Sequence, residues 1–149
     1  MRAVIQRVKN AKIEVENQLK ARINTGLIVY ISIANDDSDS DAQYMAQKIA
    51  GLRIFEDQNA KMNLSASETN AHILAVSNFT IQADCRKGKR PSFTNAANPD
   101  HALKLYNTFC SILKNHNLNV KKGVFGAKMQ ISSTNDGPVN FIVDSKKTF

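Results

Sequence analysis

Apolar and polar side chains alternate along residues 2–8, the period of a half-buried strand. Ile13 and Val15, then Leu19, Ala21 and Ile23, continue in the same style and predict a short antiparallel meander. After Gly26 the pattern changes. Residues 27–33, LIVYISI, form a continuous apolar, β-branched run, as expected of a central strand covered on both faces. Residues 72–81, HILAVSNFTI, predict a second buried strand that runs directly into a polar, basic loop. The span 118–144 reads as further strands, interrupted by Gly123, Gly126 and Asp136-Gly137-Pro138.

Two stretches adopt the helical period instead. Ala42, Met45, Ile49 and Leu52 make one inward stripe, preceded by Asp36, Asp37, Asp39 and Asp41, whose charge suits a helix N-terminus. Residues 98–116 give the clearer helix. Asn98 is the expected N-cap, Pro99 the first helical residue, and Asp100 complements the dipole. Ala102, Leu103, Tyr106, Cys110 and Leu113 are its expected core stripe. The sum is an α/β mixture in a single domain, residues 1–149, with few helices and much antiparallel sheet.

Composition adds few constraints. A chain of 149 residues with 42% hydrophobic and 22% charged side chains is long enough to bury a core without disulfides or metal. No apolar run approaches transmembrane length, and the N-terminal residues carry charge where a leader needs an apolar stretch. Cys85 and Cys110 lie too far apart for a CxxC motif. A cytoplasmic location is expected. The net charge of +7 changes the picture more, because it favours polyanionic partners. Arg86, Lys87, Lys89 and Arg90 cluster, as do Lys121 and Lys122. A nucleic-acid partner and a merely solvated basic surface both fit that distribution.

The usual catalytic constellations do not occur locally. His101 and His116, in the first and last turns of the second helix, are expected to face solvent. No spacing of His, Cys or carboxylates suggests a metal, no glycine motif suggests a phosphate loop, and no serine sits in a nucleophile elbow. An enzyme built on this chain would work largely without acid–base side chains, and no cofactor is expected. Two stretches remain. Residues 77–93, SNFTIQADCRKGKRPSF, place small polar groups at a strand end, where pockets form, and then a basic loop suited to a phosphate backbone. The plainer reading is that Thr80 satisfies local backbone groups, Phe79 is core and the cations are solvated. Residues 133–141, STNDGPVNF, read as a hairpin turn, or as a Gly-Pro pair that presents backbone atoms to a ligand.

Taken together, these two stretches resemble the D-aminoacyl-tRNA deacylases. MRAVIQRV (1–8), LRIFED with KMNLS (52–65) and FGAKM (125–129) add matches in the same order, so the resemblance spans the whole chain. It implies a homodimer of compact, barrel-like α/β subunits. It also implies hydrolysis of the ester that joins a D-amino acid, or glycine, to the 3′ end of tRNA, with L-aminoacyl-tRNA spared. The family's Ser-Gln-x-Thr-Leu motif falls on Ser77, Asn78, Phe79, Thr80 and Ile81. Its Asn-x-Gly-Pro-x-Thr motif falls on residues 135–140, with Asn140 in the threonine position.

By that resemblance Gly137-Pro138 is a cis pair that enters the partner subunit's site and leaves no room for an L side chain. Main-chain amides near Phe79 and Thr80 hold the reacting group, and the ribose 2′-hydroxyl assists water. Thr80 orients rather than attacks, Arg7 braces the Gly-Pro segment, and Phe125 and Met129 wall the terminal-adenosine pocket. Asn78 and Asn140 depart from the family's Gln and Thr. A tRNA-binding module with altered or lost turnover is therefore the alternative, and a binder of some other polyanion a third.

Overall fold

The structure, a computed structural model, describes residues 1–148. Its spine is β1 (Arg2–Val15), which serves two neighbours in succession. The first half of β1 pairs antiparallel with β3 (Gly26–Ser32), and the second half with β2 (Gln18–Ile23). β8 (Gln130–Asp144) lies antiparallel to β1 from Glu14 back to Arg2. On its far side β3 pairs parallel with β6 (His72–Ser77), and β6 pairs parallel with β7 (Asn119–Lys122). The order β2-β1-β3-β6-β7, with β8 joined to β1, gives a nearly closed, mixed barrel-like sheet of the α/β class.

Parallel neighbours cannot be joined by a hairpin, so each needs a crossover. α1 (Asp39–Gly51) lies on the path from β3 to β6, which also carries the ribbon β4 (Phe55–Glu56) and β5 (Met62–Leu64). α2 (Pro99–Asn115) lies on the path from β6 to β7. The two helices pack together over one face of the sheet. Ala3, Ile5, Leu27, Val29, Ile31, Ile73 and Ala75 meet Met45, Ile49, Leu105, Phe109 and Leu113 there. On the other face Val8, Ile13, Ile23, Ile28, Leu74 and Val76 fill the inside of the curled sheet. Residues 27–31 contribute to both layers, which is why their sequence shows little alternation.

Several expectations need correction. The strand predicted over 72–81 ends at Ser77, and a 3-10 turn occupies Phe79–Gln82. α2 starts as expected, with the Asn98 side chain accepting from His101 N–H at 3.0 Å, but Leu103 faces outward while Leu105 and Phe109 are buried. Leu52 caps α1 rather than lying within it. His101 is half-buried, its Nε2 2.9 Å from the Asp37 carbonyl oxygen, whereas His116 is exposed. No helix among the described residues is long and apolar enough to cross a membrane.

Candidate functional site: a strand-end cavity and a distant Gly-Pro bulge

β3 and β6 run parallel and end together, with Tyr30 beside Val76 and Ile31 beside Ser77. The carboxyl end of such a pair is where open α/β sheets form ligand crevices. A cavity of about 570 Å³ opens there. Ser77, Asn78 and Phe79 form one wall, Phe125 and Met129 another, and Pro99 at the start of α2 closes a third side. That volume suits a nucleoside-sized ligand. Phe125 is steadied by Tyr106, its ring centroid 6.0 Å away, and Tyr106 donates from its hydroxyl to the Ala75 carbonyl at 2.9 Å. Gly123 leaves space for Met129, because a Cβ at that position would lie 2.8 Å from the Met129 Sδ.

The strand-to-turn junction is held by Asn78. Its backbone N–H donates to the Ile31 carbonyl at 2.9 Å, locking the end of β6 to β3. Its side-chain oxygen accepts from the Thr80 N–H at 3.2 Å and from the Thr80 hydroxyl at 2.6 Å. Asparagine is a strong N-cap, since its short side chain reaches back to the first free N–H groups of the turn. Thr80 is exposed and lies off the cavity lining, with both its polar groups turned to Asn78. Phe79 is 57% exposed, so the reading of it as core is corrected: it stands at the cavity wall, edge-on to Phe93.

Residues 133–141 do not form a hairpin turn. They belong to one long strand that bulges. Val8 pairs with Asn135 and Gln6 with Asn140, so Arg7 alone stands opposite residues 136–139. The extra residues leave the ladder, and Gly137 and Pro138 are exposed at the crest, joined by a cis peptide. Three groups hold the base. Asn135 Nδ2 donates to the Arg7 carbonyl at 2.9 Å, and Asn140 Nδ2 donates to Asn135 Oδ1 at 3.2 Å. The buried Arg7 guanidinium places Nε 3.2 Å from Asp136 Oδ2, and its Nη1 donates to the Ile54 carbonyl at 2.7 Å. The Arg7–Asp136 contact is an ion pair out of line for a hydrogen bond.

The residues singled out in the sequence thus fall into two groups. Ser77, Asn78, Phe79, Phe125 and Met129 surround the cavity, with Thr80 beside them. Arg7, Gly137 and Pro138 form the bulge. Ile131 on β8 also lines the cavity, and six residues of extended strand, about 20 Å, separate it from Gly137. The chain does not bring its own bulge to its own cavity. Tyr30, Ser32, Ala97 and Ala102 line the cavity as well and escaped the sequence reading. Tyr30 and Ser32 are ordinary strand residues, Ala102 is a helix residue and Ala97 lies in the loop before α2, and their only signal is where the fold puts them. Among the described residues, no group of three His, Cys, Asp or Glu is placed to hold a metal.

The profile of the family described as D-Tyr-tRNA(Tyr) deacylase matches residues 4–144. The D-aminoacyl-tRNA deacylase of Thermosipho africanus is 54% identical over 149 residues, covering 100% of both chains. That of Thermus aquaticus is 50% identical over 147 residues, 99% of this chain and 97% of the other. Among solved structures, one described as c-Myc DNA Unwinding Element Binding Protein superposes with a TM-score of 0.91 at 36% identity, covering 97% and 98% of the two chains. A probable eukaryotic D-amino acid tRNA deacylase gives a TM-score of 0.82 at 18% identity over 95% and 97%, a likeness of fold. With a profile match over nearly the whole length and relatives at about half identity, the chain belongs to the D-aminoacyl-tRNA deacylase family.

Proposed function

We propose that this hydrolase releases D-amino acids from tRNA, with the terminal nucleoside of the substrate seated in the strand-end cavity. The observation that carries this reading is the convergence of Ser77–Phe79 and Phe125–Met129 on one cavity, from stretches nearly fifty residues apart. The same cavity receives glycyl-tRNA mischarged on the alanine tRNA, since glycine offers no side chain to reject. Catalysis rests on main chain. Asn78 occupies the Thr80 N–H, which leaves the Phe79 N–H as the donor for the reacting carbonyl, and the ribose 2′-hydroxyl assists water. Thr80 then orients the turn and is not the nucleophile.

Selection by handedness requires the bulge, which lies about 20 Å along β8 from its own cavity. A second copy supplies it. Ile142, Val4 and Tyr30 form one row across β8, β1 and β3, on the face away from the helices. Ile142 is 63% exposed, and Tyr30 also lines the cavity. An exposed apolar row running up to the cavity suits a two-fold interface, in which each subunit offers the same surface to the other. Each Gly137-Pro138 segment would enter the partner's cavity, where fixed carbonyl groups exclude an L side chain without depending on any rotamer. We place the enzyme in the cytoplasm, where aminoacyl-tRNA is found.

The test is the release of amino acid from D-tyrosyl-, L-tyrosyl- and glycyl-tRNA. Turnover of the D and glycyl esters with the L ester intact supports the reading. Comparable D and L rates overturn the filter. Stoichiometric protection of the ester without turnover supports instead a tRNA-binding module altered at Asn78 and Asn140.

A further inference from the structure

Beside the cavity, past the Phe79–Phe93 contact, lies a segment that contributes nothing to its lining. Residues 84–92 form an arm closed at its base by two backbone hydrogen bonds, Asp84 N–H to Ser92 O at 2.8 Å and Ser92 N–H to Asp84 O at 3.0 Å. Gly88, with φ +68°, lets the chain turn back at the tip. From the tip onward the arm carries no acid, yet it holds Lys89 and Arg90, with Lys87 just before.

We infer that this arm is the docking surface for the single-stranded 3′ end of tRNA, where it leaves the nucleotide seated in the cavity. The inference rests on the functional reading above and says which part of the protein grips the rest of that substrate. Its first support is the separation of charges within the arm. Asp84 binds Arg86 with both oxygens, at 2.9 and 2.7 Å, and also accepts the Arg86 N–H at 3.0 Å. The Arg86 guanidinium beside it holds the Asp84 carboxyl well below the usual carboxylate range. Arg86 is therefore committed to shaping the arm. Lys87, Lys89 and Arg90 are exposed and enter no ion pair among the described residues. Three unpaired cations within four residues repel one another, and an array of phosphates removes that cost.

The second support is apolar. Phe93, just past the base of the arm, meets Phe79 edge-on with ring centroids 5.1 Å apart, and the two are 38% and 57% exposed. Exposed aromatic rings next to free cations are the combination that binds single-stranded nucleic acid, bases stacking on the rings while the cations follow the backbone. Phe79 also lines the cavity, so the path from cavity to arm is continuous. A strand leaving the cavity meets Phe79, then Phe93, then the cations.

The experiment measures kcat, KM and their salt dependence on D-tyrosyl-tRNA. It compares the wild-type protein, the triple variant Lys87→Ala/Lys89→Ala/Arg90→Ala, and Phe93→Ala. The triple variant is expected to raise KM at least tenfold and retain kcat within twofold. It should also flatten the slope of log kcat/KM against log salt by about 2, at about 0.7 for each single-strand phosphate contact. Phe93→Ala is expected to raise KM fivefold or more with the wild-type salt slope. Unchanged KM and slope in the triple variant overturn the docking role. So does a fall in kcat at constant KM, which would make the arm part of the cavity's architecture. Failure of the wild-type protein to turn over overturns the functional reading alone; the arm is then overturned if the triple variant binds D-tyrosyl-tRNA as tightly as the wild type.

Discussion

The Asn135 side chain donates to the Arg7 carbonyl at 2.9 Å, at the point where β8 departs from its register with β1. A ladder hydrogen bond is lost wherever a strand bulges, and here a side-chain amide replaces it. The same Arg7 presents its guanidinium to Asp136, one residue before Gly137. The bulge is thereby pinned from both sides of one residue, while Gly137 and Pro138 at its crest stay exposed.

Gly137 has φ +130°, and a Cβ there would lie 2.5 Å from Val139 Cγ2 and 2.8 Å from Val139 N. Gly137→Ala is therefore strained and crowded, at a cost of about 1–3 kcal/mol. We expect a lower melting temperature and at least a tenfold loss of kcat/KM on D-tyrosyl-tRNA. Paired melts and D- and L-ester assays check this; wild-type rate and selectivity would reduce the bulge to a plain structural feature.

Ile142 stands 63% exposed in the row proposed as the two-fold interface. Ile142→Asp should leave the subunit folded, because no core contact is lost, but convert the dimer to a monomer by light scattering. Turnover or chiral selection should fall with it, since in the proposed dimer the bulge serves the partner's site. A fully active, D-selective monomer would falsify the shared-site arrangement.

The Thr80 hydroxyl is bonded to Asn78 and lies off the cavity lining. Thr80→Ala should reduce the deacylation rate yet leave it measurable, within about tenfold of the wild type. Asn78→Ala removes the cap of the turn, at about 1 kcal/mol, and should lower both stability and rate. A completely inactive but folded Thr80→Ala would instead make Thr80 the leading nucleophile.

Acid stability follows from the carboxylates that join the chain ends. Burial opposes charge on Asp41, but hydrogen bonds from Ser145, Ser38 and Lys146 outweigh it and hold its pKa below the ordinary value. At Asp144 burial is likewise outweighed by Thr148, the Lys146 N–H and Arg2. A folded pKa below the unfolded one contributes stability above the unfolded value, near 4, and loses it as pH falls through the folded value. The melting temperature should be level above about pH 5 and decline below pH 4. Asp41→Asn should lower the plateau and shallow the acid limb; a parallel acid limb in that variant would assign the decline elsewhere.

Much of this protein was legible in the linear chain. The run 27–33 announced a strand buried on both faces, and Asn98-Pro99 marked the start of α2, because those signals depend on neighbours in sequence. The family could be read as well, since its motifs are colinear. The end of β6 could not. Residues 78–81 have strand-like composition, and it is the Asn78 side chain capping Thr80 that turns the chain into a 3-10 helix. The outward side of Leu103 was equally hidden, because one helical stripe cannot say which of its margins meets the sheet. The Asp-Gly-Pro group has the residues of a turn, and only pairing with β1 on both sides makes it a bulge in a continuous strand. Nor does sequence place Tyr30, Ala97 and Ala102 around one cavity with Phe125. Local propensity fixes the elements; which distant residues share a surface depends on strand register and crossovers, which exist only once the sheet has formed.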